Sequence, residues 1–220
     1  EHPYLDGLRD YIVPKSMWII GGDGFAYDIG YGGLDHVLST NEDINILVLD
    51  TEVYSNTGGQ SSKSSNIGSI ASFTSSGKSN YKKDLARIAM CYPHVYVACV
   101  NIGYNKEQYL KALQEANNHK GPSIIIAYAP CIEHGIKTGM EHSLDDGYLA
   151  SKCGYFLTFR YNPDTGVFNL DSKDIDLDKY DLFLENENRY ANLKKGNPEG
   201  AKELIDKQKE LEDEKNNYFN

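Results

Sequence analysis

Short apolar runs alternate with amphipathic stretches through the first 130 residues. Met17-Trp18-Ile19-Ile20, Ile44-Asn45-Ile46-Leu47-Val48-Leu49, Val95-Tyr96-Val97-Ala98-Cys99-Val100 and Ser123-Ile124-Ile125-Ile126-Ala127-Tyr128 are rich in β-branched residues, and turn-formers stop them. A strand buried on both faces reads as a continuous apolar run, so these segments predict a parallel sheet. Between them, residues Ala26 to Ser39 predict a helix. Tyr81 to Tyr92 predicts another, with Leu85, Ile88 and Ala89 on one face and Pro93 as its stop. Lys106 to His119 predicts a third, capped by Asn105, with Tyr109, Leu110 and Leu113 sharing a face and Gly121-Pro122 as the exit. Strand and helix in alternation predict a doubly wound α/β sheet, whose ligands sit at the carboxyl ends of the strands.

Two regions depart from the alternation. Residues 55–80 are almost all Ser, Gly, Asn, Thr and Lys, with Ile67, Ile70 and Phe73 as sparse apolar anchors. They read equally as a flexible surface loop or as a loop ordered over a ligand, since they follow a strand end directly. After Cys153, Tyr155 to Arg160 predicts one more strand, and residues 161–196 are polar with few anchors. Asn197-Pro198-Glu199 is a helix start, and a charged helix follows to Lys215 with a thin stripe of Ala201, Leu204, Ile205 and Leu211. The expected organisation is an α/β domain over residues 1–160 and a polar extension over 161–220 that ends in this helical tail.

Composition narrows the partners. Among 220 residues, 40% are hydrophobic and 25% charged, which suits a folded domain, and the formal net charge is −10. That balance argues against duplex nucleic acid and anionic membranes, which need clustered positive charge. No apolar run reaches membrane-spanning length, and Glu1-His2-Pro3-Tyr4 is not a signal-peptide start, so a soluble protein in a reducing compartment is expected. The four cysteines form no Cys-x-x-Cys pair and no self-contained metal site; Cys91, Cys99 and Cys153 read as small buried apolar residues. The six histidines lack metal spacing: His36 reads as packing or surface, and His134 and His142 as solvated loop residues. Gly30, Gly32 and Gly33 weaken a helix, which points to tight packing against backbone at all three.

The chemistry concentrates at Gly21-Gly22-Asp23-Gly24, where the first strand ends. Glycines permit close backbone approach to a ligand, yet Asp23 repels a bare phosphate. The conflict resolves if Asp23 holds a hard divalent cation that in turn holds the phosphate. Asp50-Thr51-Glu52-Val53-Tyr54-Ser55-Asn56, at the next strand end, supplies a second oxygen cluster, and the 28 residues from Asp23 to Thr51 leave room for one crossover. The glycine run is not a dinucleotide fingerprint, because Tyr27 stands where its third glycine belongs.

In their longer wording, Gly21 to Leu38 and Asp50 to Lys63 resemble one family, the pyruvate:ferredoxin (flavodoxin) oxidoreductases with the related pyruvate:NADP⁺ oxidoreductases. The likeness continues through Lys82 to Arg87, Ala127 to Ile132 and Phe159 to Tyr161, and covers residues 15–190. It implies a thiamine-diphosphate-binding fold, and a chain that is the C-terminal domain of a longer 2-oxoacid oxidoreductase. That enzyme converts pyruvate and coenzyme A to acetyl-CoA and CO₂, with electrons leaving to ferredoxin, flavodoxin or a fused flavin domain. It implies that Asp23, Thr51 and the Val53 carbonyl ligate Mg²⁺. Gly22, Asp23, Gly24 and Phe25, with Thr51, Glu52, Val53, Tyr54, Ser55 and Asn56, contact the cofactor. Asn56 lies near substrate as the catalytic candidate, its alternative being to hold the Thr51–Gln60 turn. Cys131 is one ligand of a 4Fe–4S cluster whose other cysteines lie in the rest of the parent chain. The parent is expected to be a homodimer in the cytoplasm or an anaerobic energy organelle, and the isolated domain to be inactive. Two other readings stand beside this one: the diphosphate-binding subunit of a different thiamine-dependent 2-oxoacid oxidoreductase, and a catalytically silent α/β module that binds a nucleotide or a partner.

Overall fold

The four apolar runs become β1 (Met17–Gly21), β2 (Ile44–Asp50), β3 (Tyr96–Val100) and β4 (Ser123–Tyr128), all parallel to one another. This computed structural model describes residues 15–219, so the start at Glu1 to Tyr4 lies outside the described residues. β5 (Phe159–Asn162) and β6 (Val167–Leu170) add antiparallel to one edge, completing a six-stranded sheet in the order β1-β2-β4-β3-β5-β6. The sheet thus runs through residue 160 and continues to Leu170.

Alternate residues of the inner strands feed opposite faces, as the pleat requires. On one face Tyr96, Ala98, Val100, Ile125 and Ala127 pack under α4 (Lys106–Asn118). On the other, Ile46, Val48, Val97, Cys99, Ile124 and Ile126 meet the remaining helices. These are α1 (Asp23–Ala26), α2 (Tyr31–Leu38), α3 (Leu85–Ala89), α5 (Ser143–Lys152), α6 (Tyr180–Asn186), α7 (Asn188–Gly196) and α8 (Pro198–Phe219). The fold class expected from the sequence, a doubly wound and mainly parallel α/β sheet with a helical tail, is the one observed. Among the described residues, no helix is long and apolar enough to cross a membrane.

Several local expectations need correction. The segment Ala26 to Ser39 is not one helix: α1 closes at Ala26, and α2 begins at Tyr31. At the break the Gly30 amide donates to Gly24 O at 3.0 Å, and a Cβ on Gly30 would sit 2.5 Å from Phe25 O. Gly30 is therefore packed against backbone, whereas Gly32 and Gly33 face open space. α3 starts only at Leu85, because the Asp84 carboxylate accepts from the Arg87 amide and caps it there. It ends at Ala89, which leaves Cys91 in an exposed turn rather than in the core.

On α4, capped by Asn105 as expected, Gln108, Ala112 and Ala116 are buried and Leu110 is 59% exposed. Small alanines let this helix sit close on the sheet, which turns Leu110 outward. Residues Tyr155 to Thr158 are buried but outside the strand: Gly154, at φ +82°, turns the chain after α5, the Phe156 amide donates back to Ala150 O at 3.1 Å, and the strand begins at Phe159. Residues 161–196 carry more anchors than their polarity indicates: Tyr180, Phe183, Leu184, Tyr190 and Leu193 are all buried. The last helix, started by Asn197, continues past Lys215 to Phe219, whose ring packs on Phe159 at 4.8 Å. Its inner face includes buried Gln208 and Glu212 as well as Ala201 and Ile205.

Candidate functional site

The parallel strands bring Gly21, Asp50 and Tyr128 to one edge. Gly21 is level with Val48, so the turn after β1 carries Asp23 beside the end of β2. Asp23 is buried. Its Oδ1 accepts from the Thr51 amide at 3.1 Å and from Thr51 Oγ1 at 3.3 Å, and its Oδ2 accepts from Ser62 Oγ at 2.5 Å. Thr51 Oγ1 also donates to Val53 O at 2.9 Å. Asp23, Thr51 and Val53, from two strand ends, thus present three oxygens in one group.

That donor set suits a hard cation. With Mg–O bonds of 2.0–2.1 Å, neighbouring ligands of an octahedron lie about 2.9 Å apart, close to the oxygen spacings found here. Burial pushes the Asp23 carboxyl up to about 7, and the nearby Asp50 carboxylate adds to the rise. A carboxylate this averse to carrying its charge alone is one that a cation stabilises. The set contains one carboxylate, one hydroxyl and one carbonyl; among the described residues no group of three or more His, Cys, Asp or Glu is arranged to hold a metal. The remaining positions of such an ion would belong to phosphate and water.

Around these oxygens the backbone stays open. A Cβ at Gly22 would meet only Leu49 O, at 3.7 Å, while one at Gly24 would press on the Tyr54 ring at 3.2 Å. Phe25 folds back over Gly21, the Asp28 carboxylate lies near enough to Tyr54 to help burial raise its phenol, and Ser55 is half-buried. Asn56 is exposed and makes no hydrogen bond to a described residue, so it does not hold the Thr51–Gln60 turn. Much of the polar stretch is packed: Ser62, Ser64, Ser65, Asn66 and Ser69 are buried beneath the edge, so the flexible-loop reading fails there. Phe73 is no anchor, being 96% exposed at φ +65°.

Glu52 points the other way. It has a left-handed backbone (φ 56°) between two of the oxygen donors, and its carboxylate is fully buried. The carboxylate meets Lys82 at 2.7 Å, Arg189 at 2.8 Å, Tyr155 at 2.6 Å and Asn66 at 3.1 Å. Burial alone would raise its pKa, but Lys82, Arg189 and His134 outweigh that and hold it down to about 2. Lys82 also meets Asp50 at 2.9 Å, and Asp50 accepts from Tyr27 at 2.9 Å and from Ser64. This charged layer beneath the edge goes beyond the sequence reading, which assigns no role to Arg189 and cites Lys82 only within the stretch Lys82 to Arg87. The one available signal was Arg189 lying beside Tyr190 and four residues before Leu193 in a run that spaces its apolar residues as a helix does.

Cys131 follows β4 onto the same edge and is half-buried. Burial pushes its thiol up, and the backbone N–H groups of Glu133 and His134 nearby oppose the rise without a hydrogen bond to its sulfur. His134 is not solvated: it is fully buried, with Nε2 2.8 Å from Thr51 O and Nδ1 3.1 Å from Glu187 Oε1. His142 is exposed, as expected.

Comparison with known proteins places these residues in context. Residues 11–127 match the family described as thiamine pyrophosphate enzyme, C-terminal TPP binding domain. The chain is 52% identical to a pyruvate:ferredoxin oxidoreductase of Moorella thermoacetica over 92% of its length, and 51% identical to a pyruvate-flavodoxin oxidoreductase of Klebsiella pneumoniae over 94%. It is 50% identical to the mitochondrial pyruvate dehydrogenase [NADP(+)] of Euglena gracilis over 89%. It spans only 18%, 18% and 11% of those three proteins.

Proposed function

Because this chain belongs to the thiamine pyrophosphate enzyme family, as its C-terminal TPP-binding domain, we propose that it is the diphosphate-holding part of a longer pyruvate oxidoreductase. The parent oxidises pyruvate with coenzyme A to acetyl-CoA and CO₂ and passes electrons through iron–sulfur clusters to ferredoxin, flavodoxin or NADP⁺. The observation that carries this reading is the group of three oxygens from Asp23, Thr51 and Val53 at one strand edge.

In this reading Asp23, Thr51 Oγ1 and Val53 O hold Mg²⁺, and the ion holds the diphosphate that Asp23 alone would repel. Gly22 and Gly24 admit the diphosphate by their lack of side chains, with Phe25 behind them. Thr51, Glu52, Val53, Tyr54, Ser55 and Asn56 form the second wall, Glu52 through its backbone because its carboxylate is engaged inside. Bound thiamine diphosphate supplies the electron sink that makes decarboxylation of a 2-oxoacid accessible. Asn56, which makes no hydrogen bond to a described residue, is available to orient substrate through its amide. Cys131, half-buried on the same edge, offers one thiolate to a 4Fe–4S cluster.

The test uses the full-length protein, assayed for pyruvate- and coenzyme A-dependent reduction of a viologen dye. Activity in the wild type, with Cys131→Ala lacking the EPR signal of one cluster, is the expected result. A full-length protein that does not turn over pyruvate, or a Cys131→Ala variant with unchanged cluster content, would overturn the corresponding part.

A further inference from the structure

The turn Cys131-Ile132-Glu133-His134-Gly135 is held from two sides. The His134 amide donates to Cys131 O at 3.1 Å, and Gly135, at φ +64°, closes the turn. From the C-terminal side, the Asn188 amide donates to Gly135 O at 3.0 Å, and Ile136 forms a bridge with Glu187. The His134 ring is fully buried near the Tyr128 ring, 6.1 Å between centroids. Its Nε2 donates to the carbonyl of Thr51 at 2.8 Å, since a carbonyl can only accept. Its Nδ1 lies 3.1 Å from Glu187, which is also fully buried and receives Arg189 Nε at 2.7 Å. Arg189 in turn reaches Glu52 at 2.8 Å, the residue after Thr51.

Thr51 is therefore pinned on both of its peptide planes. Its N–H is held by Asp23 at 3.1 Å and its C=O by His134 at 2.8 Å, which leaves Oγ1 aimed at Asp23 and Val53. The residue that pins the carbonyl also closes the turn bearing Cys131. Burying an imidazole, two carboxylates and a guanidinium together is costly unless each has partners, and the bond from His134 to Thr51 joins two residues 83 apart in the sequence.

We propose that His134, braced by Glu187 and Arg189 of the C-terminal extension, is a positioning residue that fixes the Cys131 turn relative to the Thr51–Val53 oxygens. It thereby sets both the affinity for the metal–diphosphate and the environment of the cluster. This rests on the metal and cluster roles assigned above to Asp23, Thr51, Val53 and Cys131.

The experiment compares His134→Leu, His134→Gln and Glu187→Gln in the full-length protein. Two quantities are read: the Kd of thiamine diphosphate with Mg²⁺ by calorimetry, and the midpoint potential of each cluster by EPR-monitored titration. Loss of one hydrogen bond to a metal-ligand residue predicts about a tenfold weaker Kd for His134→Leu, with a shifted potential at one cluster only. His134→Gln, which keeps an amide donor, should recover most of the affinity. Glu187→Gln keeps the shape and loses the charge, so it should move both readouts in the direction of His134→Leu, by less. Should His134→Leu not accumulate as folded protein, the two isosteric variants decide the matter by the same readouts. Folded variants with wild-type Kd and potentials would overturn the proposal, provided Asp23→Ala and Cys131→Ala lose binding and a cluster signal respectively. If those two controls bind and signal as wild type, the metal and cluster roles fall first and this inference with them.

Discussion

Replacing Glu52 with Gln tests the charged layer under the site with little change of shape. The carboxylate meets Lys82 at 2.7 Å and Arg189 at 2.8 Å, and its own exposure is 1%. Removing one partner of a buried ion pair costs about 3–5 kcal/mol, since the cation left behind stays desolvated. Here both cations keep a second partner, Asp50 at 2.9 Å for Lys82 and Glu187 at 2.7 Å for Arg189. The loss therefore falls at the lower end, about 3 kcal/mol. The pH dependence follows from the direction of the shift. Glu52 is held down to about 2, below its ordinary 4.5, so its stabilisation is full above 4.5 and is lost as pH falls through 2. The gap between wild type and Glu52→Gln should accordingly stay constant across neutral pH and narrow only in acid. Urea unfolding followed by circular dichroism, repeated over pH, measures it. A gap under about 1 kcal/mol at neutral pH, the range of exposed pairs, would refute the view that these charges act as one buried unit.

Three further substitutions differ in expected sign, two stabilising and one destabilising. Asp146 is buried, its Oδ2 has no hydrogen-bond partner among the described residues, and its carboxyl is pushed up to about 7 by burial first and by Glu187 second. A raised carboxyl pKa means that stability is lost as pH rises from the unfolded value through 7. Asp146→Asn should therefore gain on the order of 2 kcal/mol over wild type at pH 8, with the advantage vanishing near pH 4; a pH-independent difference in unfolding midpoint would contradict this. For the glycines, Gly30→Ala should destabilise by about 1–3 kcal/mol through its clash with Phe25 backbone, while Gly33→Ala, inside α2 with open space around it, should stabilise by about 0.5–1 kcal/mol. Thermal melts that place the two variants on the same side of wild type would show that the packing assignment is wrong.

The central sheet was legible because strands buried on both faces leave continuous apolar runs, and β2, β3 and β4 are of that kind. The oxygen group was legible because Gly-Asp-Gly at one strand end and Thr51 at the next are separated by a crossover length. Helix limits were less so: Asp84 as a cap and Gly30 against Phe25 are tertiary facts with weak local signals. The α6 stripe of Tyr180, Phe183 and Leu184 has helical spacing and could have been read; the surrounding Asp and Asn residues masked it. Hardest to see were the inward charges. Glu52, Lys82, Glu187 and Arg189 are residue types that normally face water, and only the folded chain shows them meeting one another. His134 belongs with them, since a histidine three residues after a cysteine gives no hint of a partner 83 residues earlier.

In the proposed function, Asp23 is the carboxylate that carries the metal and, through it, the diphosphate. Calorimetric titration of the full-length protein with thiamine diphosphate, with and without Mg²⁺, measures this directly for wild type and Asp23→Ala. Mg²⁺-dependent binding by the wild type is expected, with a loss of at least about a hundredfold in Asp23→Ala, on the order of 3 kcal/mol for a charged ligand contact. Equal Mg²⁺-dependent affinity in the two proteins would contradict it.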